Sequence, residues 1–164
     1  MDHKQSYTAN KLSHAYIVTG NGEDALEQAG ELAAAMMCRF PEQAPCGHCE
    51  NCRKIREGIH PDLGHVTREV ENGKQKKSIL VRQIRTLIAD AYVMPNEADR
   101  KVYIIEDADT MNLQAQNAIL REQTQYLREI NDKDFATDIT TAAINRAQAR
   151  TNRRAGATVS SVGF

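Results

Sequence analysis

The clearest strand signal in the chain is Lys101-Val102-Tyr103-Ile104-Ile105-Glu106-Asp107. Its four central residues are β-branched or aromatic, and charged residues bound the run on both sides. A short apolar run of this kind is typical of a strand that is buried on both faces of a parallel sheet. We therefore expect this strand in the interior of the fold, with its two acids at its carboxyl end.

Strand and helix signals alternate on the amino-terminal side of this stretch. His14–Gly20 is typical of a short buried strand that stops at glycine, and Asp24–Met37 carries a helical apolar stripe. Leu63–Val66 could form another short strand, followed by a lysine-rich loop at 72–77. The alternation of strands and helices predicts an α/β fold with a mainly parallel sheet.

Two further helices are predicted, one on each side of the strand at 101–105. The first has Ser78 as its expected N-cap and ends before Pro95. Its apolar face comprises Val81, Ile84, Leu87, Ile88 and Ala91. The second helix is expected to be capped by Asp109 and to run to about Leu120.

The pattern changes after about residue 120. Residues 121–164 are rich in Gln, Arg, Ala and Thr, and their sequence shows no convincing strand. We predict a domain over residues 1–120, with a cysteine module at 38–52, followed by a helical or partly disordered tail over 121–164. A basic run in the tail could contact DNA, although such runs are usually solvated; it comprises Arg146, Arg150, Arg153 and Arg154.

All four cysteines of the chain fall within fifteen residues, as Cys38, Cys46, Cys49 and Cys52 in a C-x7-C-x2-C-x2-C pattern. Four thiolates suit tetrahedral Zn²⁺, and two-residue spacers allow successive sulfurs to turn toward one ion. Gly47 permits the tight backbone turn that such a knuckle needs. The pattern predicts a structural zinc site, because four protein ligands leave no open position for water or substrate.

Other interpretations of the cysteine cluster stay open from the sequence. The cysteines could be four unrelated thiols, or a redox Cys-x-x-Cys motif that leaves the other two cysteines unexplained. His48 and His60 lie close by, and either could replace Cys38 as the fourth ligand. A solvated histidine in a loop is the more common situation for both.

The segment after the first strand departs from a phosphate-binding loop. Such a loop reads Gly-x-x-x-x-Gly-Lys-Ser/Thr, and its lysine and backbone amides hold the phosphates. Counted from Gly20, the second glycine position holds Ala25, the lysine position holds Leu26 and the hydroxyl position holds Glu27. No lysine or arginine occurs between Gly20 and Cys38.

Acidic residues stand where a triphosphate would bind. Glu23, Asp24 and Glu27 place negative charge there, and their repulsion outweighs the roughly 0.3–1 kcal/mol that an exposed helix N-terminus offers an anion. Gly20 and Gly22 are the remnant of the loop. We therefore expect a degenerate nucleotide site that does not hydrolyse ATP.

Glu106 and Asp107 are the better preserved part of this site. In phosphate-loop proteins an acid after a buried strand helps to hold Mg²⁺. With no upstream lysine, these carboxylates are more simply interpreted as a remnant and a helix cap. ATP is therefore an improbable cofactor on sequence grounds.

Composition and charge exclude little else. The net charge of −1 gives no global reason to bind nucleic acid or an anionic membrane. No stretch approaches the roughly 18 apolar residues of a membrane span, and residues 1–12 lack the apolar core of a signal peptide. The cytoplasm is the expected location, where clustered cysteines hold metal more often than they form disulfides.

Several stretches in this order carry a family resemblance over about residues 10–120. They are Lys11-Leu12-Ser13-His14-Ala15-Tyr16, Cys46-Gly47-His48-Cys49 with Cys52, Gly58-Ile59-His60-Pro61-Asp62-Leu63, Ser78-Ile79 with Gln83-Ile84-Arg85, Lys101–Ile105 and Met111-Asn112 through Gln114–Ala118. Together they resemble the bacterial clamp-loader proteins of the AAA+ class, the delta-prime and gamma/tau subunits of DNA polymerase III. The resemblance implies a P-loop-like parallel sheet with a zinc-knuckle insertion.

The degenerate loop favours the delta-prime type, since gamma/tau proteins carry an intact phosphate loop. The resemblance then implies a subunit that does not hydrolyse ATP in a five-subunit ring with gamma/tau and delta. That ring loads the beta sliding clamp on primed DNA during replication. A gamma/tau-like ATPase fragment and a zinc-binding adaptor without clamp-loading activity are the alternatives.

The sequence departs from this family after Leu120. The family continues with a Leu-Glu-Glu-Pro-Pro turn, a sensor strand and a Ser-Arg-Cys motif, whereas this chain continues Arg121-Glu122-Gln123-Thr124-Gln125-Tyr126. The resemblance therefore predicts a sheet truncated before the sensor strand, the helical lid and the collar. Strands 15–20 and 101–106 would then pair directly or leave a gap, and we expect a marginal fold or a rearranged sheet.

Overall fold

Strands and helices alternate along the chain in the computed structural model, which describes residues 12–130, 140–145 and 158–161. The helices are α1 (Gly22–Met36), α2 (Glu50–Arg56), α3 (Val81–Ala91) and α4 (Leu113–Ile130). The strands are β1 (Ala15–Thr19), β2 (Leu63–Val66), β3 (Val70–Glu71), β4 (Lys74–Gln75), β5 (Val102–Ile105), β6 (Thr140–Asn145) and β7 (Thr158–Ser161).

Five of the strands form one sheet in the order β2-β5-β6-β1-β7. The first four run parallel, and β7 is an antiparallel edge strand beside β1. The predicted α/β fold with a mainly parallel sheet is confirmed. The strands expected near 15–20, 63–66 and 101–105 all occur within one or two residues of their predicted bounds.

The predicted absence of a strand after residue 120 is wrong. β6 lies between β1 and β5 and pairs in parallel with both, so that Ala143 is opposite Ile17 on one side and Ile105 on the other. β1 and β5 therefore neither pair directly nor leave a gap. Both partners of β6 are distant in sequence, so its local residue pattern gives little sign of the pairing that defines it.

The apolar core lies on both faces of the sheet, because successive residues of β5 point to opposite sides. Val102 and Ile104 belong to a cluster with α1 and the cysteine module. Tyr103 and Ile105 belong to a second cluster, which contains residues of α3 and α4. All four side chains are at most 4% exposed, as expected for a strand covered on both faces.

Local capping differs from the sequence prediction at two helices. Leu80, not Ser78, precedes α3, and its N–H donates to Oε1 of Gln83 at 3.1 Å. At α4, Oδ1 of Asn112 accepts a hydrogen bond from the N–H of Ala115 at 2.9 Å, so Asn112 rather than Asp109 is the cap. A 3₁₀ turn over Ala108–Thr110 separates β5 from α4 and displaces the expected helix start.

The lysine-rich loop predicted at 72–77 is partly a β-hairpin. β3 and β4 pair in antiparallel fashion, and Asn72 and Gly73 join them with positive φ angles of 51° and 73°. Asn-Gly is the pair that such a two-residue turn favours, because both positions need left-handed backbone. The strands were missed because each is only two residues long.

Asp62 fixes the loop that leads into β5. Its side chain is 1% exposed, and its two oxygens accept hydrogen bonds from the backbone N–H groups of Asn96, Glu97 and Ala98 at 2.6–2.9 Å. Glu97 also forms an ion pair with Lys54 of α2. Asp62 therefore connects the sheet, the loop and the helix that carries part of the cysteine module.

The structure does not describe every residue for which the sequence made a prediction. Residues 1–11 and the basic run at 146–154 lie outside the described residues. Within the parts of the chain that are described, no helix combines the length and apolar character needed to cross a membrane.

Candidate functional site

The four cysteine side chains converge on one point. The Sγ atoms of Cys38, Cys46, Cys49 and Cys52 all lie within 4.8 Å of one another. Sγ of Cys46 is 4.0 Å from Sγ of Cys52. Three of the residues are buried and Cys46 is half-buried, with all four thiols free of disulfides. The structure therefore brings together the complete set that the spacing predicted.

Two helices and a turn position these sulfurs. Cys38 follows the end of α1, Cys49 is the N-cap of α2, and Cys52 lies in the first turn of α2. Gly47 has a φ of 75°, a left-handed conformation that glycine adopts without strain, and it turns the chain between Cys46 and Cys49. The backbone thus supplies the knuckle that was predicted around Gly47.

Backbone N–H groups point at three of the sulfurs. The N–H of Phe40 lies 3.4 Å from Sγ of Cys38, that of Cys49 lies 3.3 Å from Sγ of Cys46, and that of Cys52 lies 3.4 Å from Sγ of Cys49. Donors in these positions favour the thiolate over the thiol. Thiolates are the form that binds metal.

The cysteines differ in how readily they ionise. Burial opposes ionisation of Cys49, but hydrogen bonds from the backbone at Cys52 and Arg39 outweigh it and lower the pKa of the Cys49 thiol to about 6. Burial raises the pKa of the Cys38 and Cys52 thiols. Cys49 therefore offers a thiolate to an incoming cation more readily than Cys38 or Cys52 does.

Neither nearby histidine takes the place of Cys38. His48 is exposed, its Nδ1 lies 3.0 Å from the carbonyl oxygen of Cys46, and its ring stacks on Phe40 at a centroid distance of 5.5 Å. His60 is buried, and its Nδ1 accepts a hydrogen bond from the N–H of Asp62 at 3.1 Å. Within the described residues, the cluster consists of the four cysteines alone.

This donor set fits Zn²⁺. A tetrahedron of Zn–S bonds of about 2.3 Å has sulfur–sulfur edges of about 3.8 Å, slightly shorter than the 4.0 Å between Sγ of Cys46 and Sγ of Cys52. Four soft sulfur donors select Zn²⁺ over Mg²⁺ or Ca²⁺, which prefer oxygen. The four cysteines could therefore hold a metal ion with a small contraction of the knuckle.

The turn after β1 is shorter than the phosphate-binding loop with which it was compared. β1 ends at Thr19 and α1 begins at Gly22, so only Gly20 and Asn21 connect them. Ala25, which stands at the position of the second loop glycine, is already inside the helix, and its N–H donates to the carbonyl oxygen of Asn21 at 2.8 Å. That backbone amide is consequently not available to a phosphate oxygen.

The two acids after β5 already have side-chain partners. Asp107 is 5% exposed, and its Oδ2 accepts hydrogen bonds from Nε and a terminal nitrogen of Arg68 at 3.2 and 2.9 Å. Oε1 of Glu106 lies 2.8 Å from Nε2 of His65 on β2. Because β6 lies between β1 and β5, these acids are about 10 Å from the Gly20–Gly22 turn, two strand spacings away.

Four residues that position these sites were missed by the sequence analysis. Asp62 anchors the loop before β5, Arg68 and His65 pair with the acids after β5, and Asn51 lies buried between Cys49 and Cys52. The pairing of Arg68 with Asp107 spans 39 residues, so no local pattern indicates it. The one sequence signal that could have indicated Asn51 is its place as a polar residue inside a cysteine spacer.

The comparisons with known proteins agree with the sequence resemblance. The family model described as DNA polymerase III, delta subunit matches residues 2–122. The chain is 35% identical over 136 residues to DNA polymerase III subunit delta′ of Bacillus subtilis, which covers 82% of this chain and 38% of that protein. It is 31% identical over 120 residues to the delta′ subunit of Escherichia coli, which covers 71% of this chain and 34% of that protein.

The tau subunit of Bacillus subtilis is also similar, with 31% identity over 113 residues, 68% of this chain and 19% of that protein. A crystal structure of a gamma subunit-related protein from Thermotoga maritima aligns with 85% of this chain and 37% of that one, at 19% identity and a TM-score of 0.43. The chain spans about a third of the length of the curated delta′ relatives it matches.

Proposed function

Because this chain belongs to the DNA polymerase III delta-subunit family, we propose that it acts as a delta-prime-type subunit of the clamp loader. In this role it helps the ring of gamma/tau and delta subunits to load the sliding clamp on primed DNA. It contributes structure and contacts, and its partners hydrolyse the ATP. Contact with DNA occurs through the complex, in the cytoplasm.

The observation that carries the proposal is the two-residue connection between β1 and α1. A phosphate loop needs free backbone amides and a lysine. Here the amide of Ala25 is bonded within the helix, the lysine position holds Leu26, and the exposed acids Glu23 and Asp24 occupy the first helical turn. Electrostatics and backbone geometry both disfavour a bound triphosphate.

The pairing of Glu106 and Asp107 supports the same conclusion. A magnesium ion at the end of β5 would have to displace the guanidinium of Arg68 from Asp107 or the imidazole of His65 from Glu106. The side chains of Arg68 and His65 therefore stand where a nucleotide-bound ion would bind. We assign Gly20, Gly22, Glu106 and Asp107 to a degenerate nucleotide site without catalytic function.

We assign a structural Zn²⁺ to Cys38, Cys46, Cys49 and Cys52. These residues hold the ion between the end of α1 and the start of α2, and four protein ligands leave no position for a substrate. The metal would link the end of α1 to the start of α2. We keep the predicted boundary near residue 120 as the limit of the part that resembles the family. Residues 121–164 are the divergent part, and they supply β6 and β7 to the same sheet.

Calorimetry with Mg²⁺ and ATP, on the full chain, tests the proposal directly. We expect no binding at micromolar concentrations and no release of phosphate, with a gamma/tau subunit as the positive control. Co-elution with gamma/tau and delta in size-exclusion chromatography is the second expected result. ATP turnover by the purified chain would contradict the passive role.

A gamma/tau-like ATPase fragment is the second candidate, since the chain is also 31% identical to a tau subunit. Micromolar affinity for ATP would favour it. A zinc-binding adaptor without clamp-loading activity is the third, and it predicts that the chain binds zinc but fails to co-elute with the other subunits.

A further inference from the structure

Asn51 is a buried amide placed inside the cysteine module. It lies on α2 between Cys49 and Cys52 and is 2% exposed. Its Nδ2 donates a hydrogen bond of 2.7 Å to the backbone carbonyl oxygen of Met37, whereas its Oδ1 has no hydrogen-bond partner within the described parts of the chain. An unpaired buried acceptor costs about 1–3 kcal/mol, so packing alone would favour an apolar residue here.

The partner of Asn51 stands directly before the first cysteine. Met37 is the C-cap of α1, and its carbonyl group is one of those that a helix end leaves without an intrahelical donor. The bond from Asn51 satisfies this carbonyl and fixes the peptide plane between Met37 and Cys38. A second contact links the same elements, because Sγ of Cys52 lies 3.7 Å from the carbonyl oxygen of Ala34.

Cys38 is the one cysteine whose position the local chain does not determine. Cys46, Cys49 and Cys52 follow one another at two-residue spacings around a single turn, whereas seven residues separate Cys38 from Cys46. Cys38 also arrives from the end of α1, a different helix. A contact between α1 and α2 must therefore set its distance from the other sulfurs, and Asn51 makes that contact at the adjacent peptide.

We infer that Asn51 is a positioning residue for the metal site, holding Cys38 against the other three cysteines so that the fourth sulfur is in place when the ion binds. This inference rests on the proposed zinc site. Residues around a metal's direct ligands typically change metal affinity by about 10- to 100-fold when they are mutated. We expect a loss of about tenfold or more in zinc affinity when the Nδ2 donor is removed.

The experiment compares Asn51→Leu with the unchanged full chain. Leucine keeps the volume and the burial but donates no hydrogen bond. Asn112→Leu is the matched control, because it removes an asparagine hydrogen bond at the start of α4, away from the cysteine module. Zinc affinity is measured by competition with a chromophoric chelator, and Co²⁺ absorption reports the number of coordinating thiolates.

Asn51→Leu should bind zinc about tenfold or more weakly, and its Co²⁺ complex should lose thiolate-to-metal charge-transfer intensity toward that of a Cys38→Ser variant. Asn112→Leu should match the unchanged chain in both measurements. Unchanged affinity and a four-thiolate Co²⁺ spectrum in folded Asn51→Leu would overturn the inference. If the unchanged chain binds neither metal, the zinc site itself fails.

A measurement on the unchanged chain covers the case in which Asn51→Leu does not fold. The Nδ2 protons of Asn51 should exchange slowly with solvent in the zinc-loaded protein, because they are buried and bonded to Met37. Rapid exchange of these protons, observed by NMR while the helices stay protected, would also overturn the inference.

Discussion

The cysteine module and the sheet edge that carries Glu106 and Asp107 both contain residues of a recognisable site, but only the module brings its set together. Its four sulfurs lie within 4.8 Å of one another with backbone donors aimed at three of them. At the edge, the glycine turn has only two residues, and the acids pair with Arg68 and His65.

This difference follows from how the residues of each site are connected. Three of the cysteines belong to one short segment, so their spacing alone nearly fixes their geometry. A nucleotide site at the sheet edge would depend on the turn after β1, on the acids after β5 and on the side chains that reach the edge from β2. A change in any one of these elements removes the site, even when the acids remain.

The largest expected effect comes from breaking the module at Cys49. Cys49→Ser should lower zinc affinity by more than about 100-fold, since it removes a direct ligand whereas even outer residues change affinity by 10- to 100-fold. Chelator competition and metal analysis measure the effect. His48→Ala is the control and should bind zinc as the unchanged chain does, because its ring lies outside the sulfur set.

The corresponding test of the edge is Arg68→Ala. This change leaves Asp107, whose side chain is 6% exposed, without its guanidinium partner. Breaking a buried pair costs about 3–5 kcal/mol. Because Arg68 is partly exposed, we expect the unfolding free energy to fall by about 3 kcal/mol. Urea denaturation measures it.

Arg82→Ala is the control for Arg68→Ala. Arg82 pairs with Glu69 on the surface, and its side chain is 58% exposed. Exposed pairs contribute about 0–1 kcal/mol, so this variant should unfold almost as the unchanged chain does. Equal losses of unfolding free energy in the two variants would show that the pair at Asp107 stabilises the protein no more than a surface pair does.

Gly64→Ala tests the packing of β2 against β5, the strand that ends at the two acids. An added Cβ at Gly64 of β2 would lie 2.3 Å from Cδ1 of Tyr103, whose hydroxyl donates to Oδ2 of Asp90 at 2.7 Å. The ring must move, and we expect a loss of about 2 kcal/mol, within the usual cost of overpacking.

Gly30→Ala on α1 is the matched control, since an added Cβ meets nothing within 4 Å there. It should raise the unfolding free energy by about 0.5–1 kcal/mol through helix propensity. Thermal unfolding of both variants tests the pair, and a stable Gly64→Ala protein would contradict the packing described for β2 and β5.

The smallest expected effect is the pH dependence of the stability that Asp62 contributes by anchoring the loop before β5. Burial opposes ionisation of Asp62, but the N–H groups of Asn96, Ala98 and Glu97 outweigh it and hold the pKa of this carboxyl below its usual value of 3.8. The anchor's contribution to stability is therefore complete above pH 3.8 and is lost as the pH falls through the folded-state pKa.

Asp62→Asn should accordingly destabilise the protein at neutral pH, and the difference from the unchanged chain should shrink in acid. Asn96→Ala removes only the side-chain donor at 3.3 Å and should keep most of the pH dependence. A stability difference that stays constant down to pH 2 would contradict this assignment for Asp62.

The sequence alone determined the parts of this protein that short segments encode. The apolar run at 102–105 specified a buried strand, and the two-residue spacers specified the sulfur knuckle, whereas Leu26 at the lysine position predicts a degenerate nucleotide site. In the first two cases a short segment supplies the physical cause, either successive apolar residues or ligands around one turn.

The tertiary structure decided the rest, because those contacts join residues that are far apart in sequence. β6 becomes a central strand only through its pairing with β1 and β5, and Arg68 reaches Asp107 only after β2 and β5 lie side by side. Asn51 likewise acquires a role only when α2 packs against the end of α1. Periodicity and spacing describe local structure, whereas hydrogen bonds across the fold depend on which elements become neighbours.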